Sequence, residues 1–242
     1  MTDEYSTSGE FLDILSRDAW AALREPVTSA LRGIDPAVGP LIDLGAGSGR
    51  GTLLLAELAP SAFVLAVEPS LVQRAVLLAR LADDPVLAEH VSVIAQRAET
   101  AQLPDAIGGV LAMNMIGHLG PDDRRQLWRR LGDRMGPEVP LVVNLQAPAR
   151  VEAIPDADFA AVRIGSCTYE GGGRAEPDGP EAVAWHMRYG VRDQKGDLVS
   201  EAAATYRWYV LDEQTLLAEL AEVGLAAQPC GLGVYRAARV TD

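Results

Sequence analysis

The chain has 242 residues, a formal net charge of −13 at pH 7 and two cysteines. That length supplies a core for one large domain without a covalent staple, and Cys167 and Cys230 stand in no metal-ligand or redox spacing. Nucleic-acid affinity rests on Lys and Arg displacing counterions, so the acidic balance argues against such a partner, and no uncharged apolar run is long enough to span a membrane.

Met1 to Glu10 is polar and acidic, without the basic and apolar regions of a secretory signal, so the chain reads as cytoplasmic. Phe11 to Arg32 carries apolar residues at helical spacing, with Asp18 expected to cap the second of two helical pieces. This makes residues 1–34 an N-terminal helical cover. Pro40 to Leu44 is a short buried strand, followed by a turn with glycines at 45, 47, 49 and 51 and a helix over 52–58. A second continuous apolar strand runs over 62–67 and ends at Glu68-Pro69-Ser70. Apolar strands of this kind belong in a parallel sheet covered on both faces.

A helix over 71–81, a strand over 91–94, a strand over 107–114, a helix over 122–135 and a strand over 140–145 continue the alternation. This order specifies a doubly wound α/β sheet. Past Pro148 the pattern changes. Gly171-Gly172-Gly173 and Pro177 to Pro180 mark a loop, and the segment from Pro148 to Pro180 reads as a substrate lid. Two alternating strands follow, one with Trp185, Met187 and Tyr189 facing opposite to His186 and Arg188, the other with Tyr206 and Trp208 on one face. Residues 148–211 therefore form a lid and small antiparallel insertion within a single domain over 1–242. Its aromatic strands can cover a substrate or pair two copies into a homodimer. Asp212 caps a helix through Val223, Gly224 ends it, and strands over 225–230 and 234–240 close the sheet.

A Gly-rich turn between strand and helix lets a ligand approach the backbone closely. The dinucleotide frame G-x-G-x-x-G fails twice, because its third position falls on Arg50 or Thr52, and no Gly-Lys-Ser or Gly-Lys-Thr follows for a phosphate loop. An acid about twenty residues on, here Glu68, can accept hydrogen bonds from ribose hydroxyls, as also happens in NAD proteins.

The run Asp43-Leu44-Gly45-Ala46-Gly47-Ser48-Gly49, read together with Glu68 and with Met113 to Leu119, resembles class I S-adenosylmethionine-dependent methyltransferases, most of all the small-molecule enzymes of bacterial secondary metabolism. The resemblance implies a Rossmann-like, mostly parallel seven-stranded sheet. It implies methyl transfer from S-adenosylmethionine to an oxygen or nitrogen of a small molecule, with S-adenosylhomocysteine as product and no metal. It gives Asp43 the ligand's ammonium, directly or through water, the backbone of Gly45, Ala46 and Gly47 close contact, and Glu68 with Pro69 the ribose. Asn114 faces the methionine portion, and Tyr5 in the N-terminal segment folds over the cofactor with Phe11 and Trp20, ordinary helix packing being the alternative for Phe11 and Trp20. The family's aspartate after the third strand is replaced by Gln96 and Arg97, so Ala98 and a shifted Glu99 stand at the adenine. His118, just past the fourth strand, is the better placed proton acceptor, with a substrate-positioning or structural role as its alternative, and His186 on the insertion is the second candidate, with polar alternation on an exposed strand as its alternative. A fold that binds the same cofactor without transferring methyl, or that catalyses another reaction, is the alternative.

Overall fold

The computed structural model describes residues 3–239. Helix α1 (Gly9–Ala30) is continuous: the division expected at Asp18 is absent. Phe11, Leu15, Val27 and Ala30 are buried along α1, while Asp18 faces solvent beside Arg17. A side chain off the buried stripe has no helix end to cap, so the apolar stripe decides the element.

The chain then runs β1 (Leu41–Leu44), α2 (Arg50–Leu58), β2 (Val64–Val67), α3 (Leu71–Ala82), α4 (Pro85–His90), β3 (Val91–Ile94) and β4 (Gly109–Ala112). After a single turn at Ile116–His118 come α5 (Pro121–Gly132) and β5 (Leu141–Asn144). The short α4 escaped the reading of apolar period because it buries nothing; Asp84 starts it by accepting from the amides of Val86 and Leu87. Strands β6 (Ile154–Ile164), β7 (Cys167–Pro177), β8 (Ala182–Arg192) and β9 (Leu198–Tyr209) follow, then α6 (Glu213–Ala221), β10 (Leu225–Gly231) and β11 (Val234–Arg239). The expected end of the last strand at Val240, like Met1 and Thr2 of the N-terminal cover, lies outside the described residues.

The main sheet has seven strands in the order β3-β2-β1-β4-β5-β11-β10. All neighbours are parallel except around β11, which runs antiparallel to both β5 and β10. Strands β1, β4 and β5 are buried throughout. Ile42, Leu44, Val110, Ala112 and Val143 pack with Trp128 of α5 and Leu216 of α6, while Leu41, Leu111 and Val142 meet Leu54 and Leu55 of α2 and Val27 of α1. Covering both faces with helices is what permits strands without polar alternation.

The second sheet is antiparallel, β6-β7-β8-β9 in simple order. It corrects the loop reading of residues 148–180: most of that stretch is strand, and Gly171-Gly172-Gly173 lies inside β7 opposite Tyr189, Arg188 and Met187. The glycines remove side chains where neighbours crowd in. A Cβ at Gly171 would meet Phe159 and Leu15, and one at Gly172 would meet the Arg188 guanidinium. Glycine inside a strand marks close approach as well as a loop. Among the described residues no helix is long and apolar enough to cross a membrane.

Candidate active site

The carboxyl ends of β1, β2 and β4 open into a cavity of about 600 Å³. Ligands of open α/β sheets bind at this edge. Its floor is the turn after β1. Gly47 has φ +55°, and an added Cβ there would meet nothing closer than 3.8 Å, so the missing side chain leaves that space to a ligand. The Gly47 amide donates to Glu68 Oε2 at 2.8 Å, and the Ser70 amide to Oε1 at 2.7 Å. Glu68 is thus pinned at the end of β2 by one bond to each oxygen, with further lone pairs on both. Burial pushes its pKa upward against these amide bonds.

Asp43 stands apart. Gly45, Ala46, Gly47, Glu68, Pro69, Ala98, Glu99, Asn114 and Tyr5 all line the cavity, but Asp43 does not. Its carboxylate lies beneath the turn and accepts from Thr52 Oγ1 at 2.6 Å, and a Cβ at Gly51 would come within 2.9 Å of its Oδ2. Desolvation pushes the Asp43 pKa up to about 7. The acid that opens the sequence motif ties the strand end to the first turn of α2.

The far wall is formed after β3 and β4. Glu99 is ion-paired with Arg97, and the Arg130 guanidinium holds the carbonyls of Glu99 and Ala101. Gln96 is tied instead to the Gln102 amide at 2.8 Å. Asn114, at φ +56°, is fixed by Asn144: its amide donates to Asn144 Oδ1 at 2.6 Å, and Asn144 Nδ2 donates to Asn114 Oδ1 at 2.7 Å. Sequence reading missed Asn144, whose signal was an amide closing an otherwise apolar strand.

The N-terminal segment forms the cover. Asp3 accepts from Ser70 Oγ at 3.0 Å and the Val72 amide at 3.2 Å. Asp13 on α1 accepts from Ser48 Oγ and Arg80 Nη2, each at 2.6 Å, and pairs with Arg50 at 3.1 Å. These bonds fasten α1 to the turn. Tyr5 and Trp20 line the cavity, whereas Phe11 turns away and stacks on Tyr189 at 5.1 Å between ring centres.

A second cavity of about 450 Å³ lies between this edge and the antiparallel sheet. Tyr5, Leu12, Asn114 and His118 line both cavities. The Tyr5 hydroxyl lies 2.7 Å from His118 Nε2, and the Glu4 carboxylate lies 3.7 Å from Nδ1. The imidazole and the Tyr5 hydroxyl share this hydrogen bond, whose donor depends on the tautomer, and the Glu4 carboxylate faces the other ring nitrogen. The Trp208 indole packs edge-on to the ring with centres 4.9 Å apart, and the same indole fills the space beside Gly117. Burial lowers the His118 pKa, with Glu4 opposing. His186 sits on the opposite face of β8 beside Thr205 and Glu176 and lines neither cavity. Among the described residues no cluster of His, Cys, Asp and Glu could hold a metal.

Residues 41–138 match the family described as a methyltransferase domain. The fold is shared with DesVI of Streptomyces venezuelae at 14% identity and TM-score 0.77, covering 99% of this chain and 100% of that one. CalS10, an amino pentose methyltransferase of Micromonospora echinaspora involved in calicheamicin biosynthesis and solved with S-adenosylmethionine bound, is 20% identical with TM-score 0.72, covering 91% and 92%. The sugar N-methyltransferase KedS8 of a Streptoalloteichus species is 19% identical with TM-score 0.68, covering 92% and 88%. No curated protein sequence matches the chain.

Proposed function

We propose, for a chain whose residues 41–138 match the methyltransferase domain family and whose fold is shared with an S-adenosylmethionine-bound methyltransferase, that it transfers methyl to an oxygen or nitrogen of a small molecule of secondary metabolism. The observation that carries the reading is the pairing of two cavities through one wall. The turn Gly45–Gly47 and Glu68 line the first, an aromatic chamber is the second, and His118 with Tyr5 belongs to both.

When bound in the first cavity, S-adenosylmethionine supplies a methyl group already activated on a sulfonium. The chain's task is then to orient two reactants and manage one proton. Glu68 is assigned the ribose hydroxyls, with the amides of Gly47 and Ser70 holding its carboxylate in place. Ala98 and Glu99 are assigned the adenine side, and Asn114 the methionine portion, its left-handed backbone fixed by Asn144. Asp43 works as a positioning residue beneath the turn, through Thr52. His118 is the proton acceptor. Its lowered pKa keeps the imidazole neutral near pH 7. Because Tyr5 occupies Nε2, the acceptor's proton is handed to the Tyr5 oxygen as the Tyr5 proton passes to His118.

A cytoplasmic setting is part of this reading, supported by the two free thiols Cys167 and Cys230. Calorimetry with the full chain tests the cofactor assignment. S-adenosylhomocysteine binding at one site, weakened in Glu68→Ala, is the expected result; binding of NAD in its place overturns it.

A further inference from the structure

The second cavity carries information about the acceptor that the fold does not. Its wall is built from rings on three strands: Phe159 of β6, Trp185 and Tyr189 of β8, and Trp208 of β9, with Met187 between them. Phe159 is 52% exposed, leaving an apolar ring open to solvent beside the chamber. The volume lies within the roughly 300–1,000 Å³ typical of small-molecule pockets. Among the described residues no carboxylate, lysine or arginine lines it, and its hydrogen-bonding side chains are Tyr5, Asn114, His118, Gln146, Tyr189, Tyr206 and the indoles.

Charge disfavours two groups inside the chamber. An ammonium group taken into such a chamber needs a carboxylate, and a diphosphate needs a guanidinium or ammonium, because an unpaired buried charge is expensive. Four of the five arginines of the antiparallel sheet are paired with acids, Arg188 with Asp156 and Asp158, Arg192 with Glu170, Arg207 with Asp178 and Arg174 with Glu176, and the fifth, Arg163, donates to the Gly165 carbonyl at the β6–β7 turn and does not line the chamber. The net charge of −13 adds repulsion for an anionic substrate. Flat rings and a polarizable thioether favour a planar apolar partner.

We propose, building on the methyl-transfer reading above, that the acceptor is a neutral aromatic molecule that stacks in this chamber and presents a phenolic hydroxyl to Tyr5 and His118. The phenolic oxygen forms its bond to the methyl carbon while the carbon–sulfur bond of S-adenosylmethionine breaks, leaving the electron pair on sulfur. The phenolic proton moves through the Tyr5 oxygen to His118 Nε2. The products are a methyl ether and S-adenosylhomocysteine, with the proton on His118 released to water.

Binding to the full chain without cofactor tests the chamber by itself. Tryptophan quenching by dihydroxynaphthalene is compared with calorimetry of a thymidine diphosphate amino sugar, in the wild type, Trp185→Ala and Trp185→Phe. The phenol is expected to bind at least about tenfold tighter than the nucleotide sugar, to lose about tenfold in Trp185→Ala and to recover in Trp185→Phe. Trp185 lines only the second cavity, so S-adenosylhomocysteine binding by each variant certifies its fold. Equal or tighter binding of the nucleotide sugar, or a phenol affinity indifferent to Trp185, overturns the proposal. A chain that binds the phenol as expected but no S-adenosylhomocysteine supports the chamber and overturns only the methyl-transfer reading.

Discussion

The Tyr5 hydroxyl meets His118 Nε2 at 2.7 Å across 113 positions of sequence, joining the N-terminal cover to the end of β4. Both residues line both cavities, so the contact makes a prediction about turnover separate from cofactor binding. His118→Ala should lower kcat by roughly 10²–10⁴-fold, the usual range for a lost acid–base group. S-adenosylhomocysteine affinity should stay within a few fold. Tyr5→Phe should also lower kcat, and both effects are read by single-turnover methyl transfer.

The pH profile follows from the same group. Burial lowers the His118 pKa, and the base works when neutral, so the acid limb of kcat should lie below the ordinary histidine value. Activity should persist as pH falls through that value and then decline. A limb at or above it would remove His118 from the role.

Glu68→Ala removes the carboxylate assigned to the ribose. Hydrogen bonds to a charged group contribute about 1.5–3 kcal/mol each, so affinity for S-adenosylhomocysteine should drop on the order of 10- to 100-fold or more by calorimetry. Glu68→Gln, which can still accept from one amide, should fall between the two.

Asp43 predicts a stability effect in the ligand-free chain. Its folded pKa is raised from 3.8 to about 7, so the folded state holds this proton where the unfolded state has lost it. The contribution is therefore present at low pH and lost as pH rises from the ordinary aspartate value to about 7. Denaturant melts of wild type and Asp43→Asn should diverge across that window, with the variant gaining relative stability as pH rises. Parallel pH dependences would contradict the assignment.

Arg124 and Glu219 form a buried two-bond pair, each bond 2.7 Å, and Trp128 Nε1 donates to the same carboxylate at 3.1 Å. Removing one partner of a buried pair costs about 3–5 kcal/mol. Glu219→Ala should thus melt at markedly lower temperature, while residual folded protein keeps its cofactor affinity.

Much of this was legible in the sequence because it depends on local pattern. The strands of the main sheet are short apolar runs between turn residues, and the ends of β1 and β2 bring Gly45–Gly47 and Glu68 together by topology alone. Phe11 and Asp43 show the limit. The resemblance placed both on the ligand side, and packing takes Phe11 to the antiparallel sheet, the helix-packing alternative, and Asp43 beneath the turn. The Gly171–Gly173 run misled for a related reason, since composition cannot tell a loop from a strand crowded by Phe159, Leu15 and Arg188. Asn144 and Asp13 act through partners thirty or more residues away, and a single sequence carries no local trace of those pairings.

The most direct measurement is transfer of label from methyl-labelled S-adenosylmethionine. The full chain is incubated with neutral phenolic and amino sugar acceptors, and labelled product and S-adenosylhomocysteine are quantified together. Equal amounts of the two are expected, with turnover collapsing in His118→Ala. Saturated cofactor binding with no labelled product and no S-adenosylhomocysteine, whichever acceptor is supplied, would contradict it.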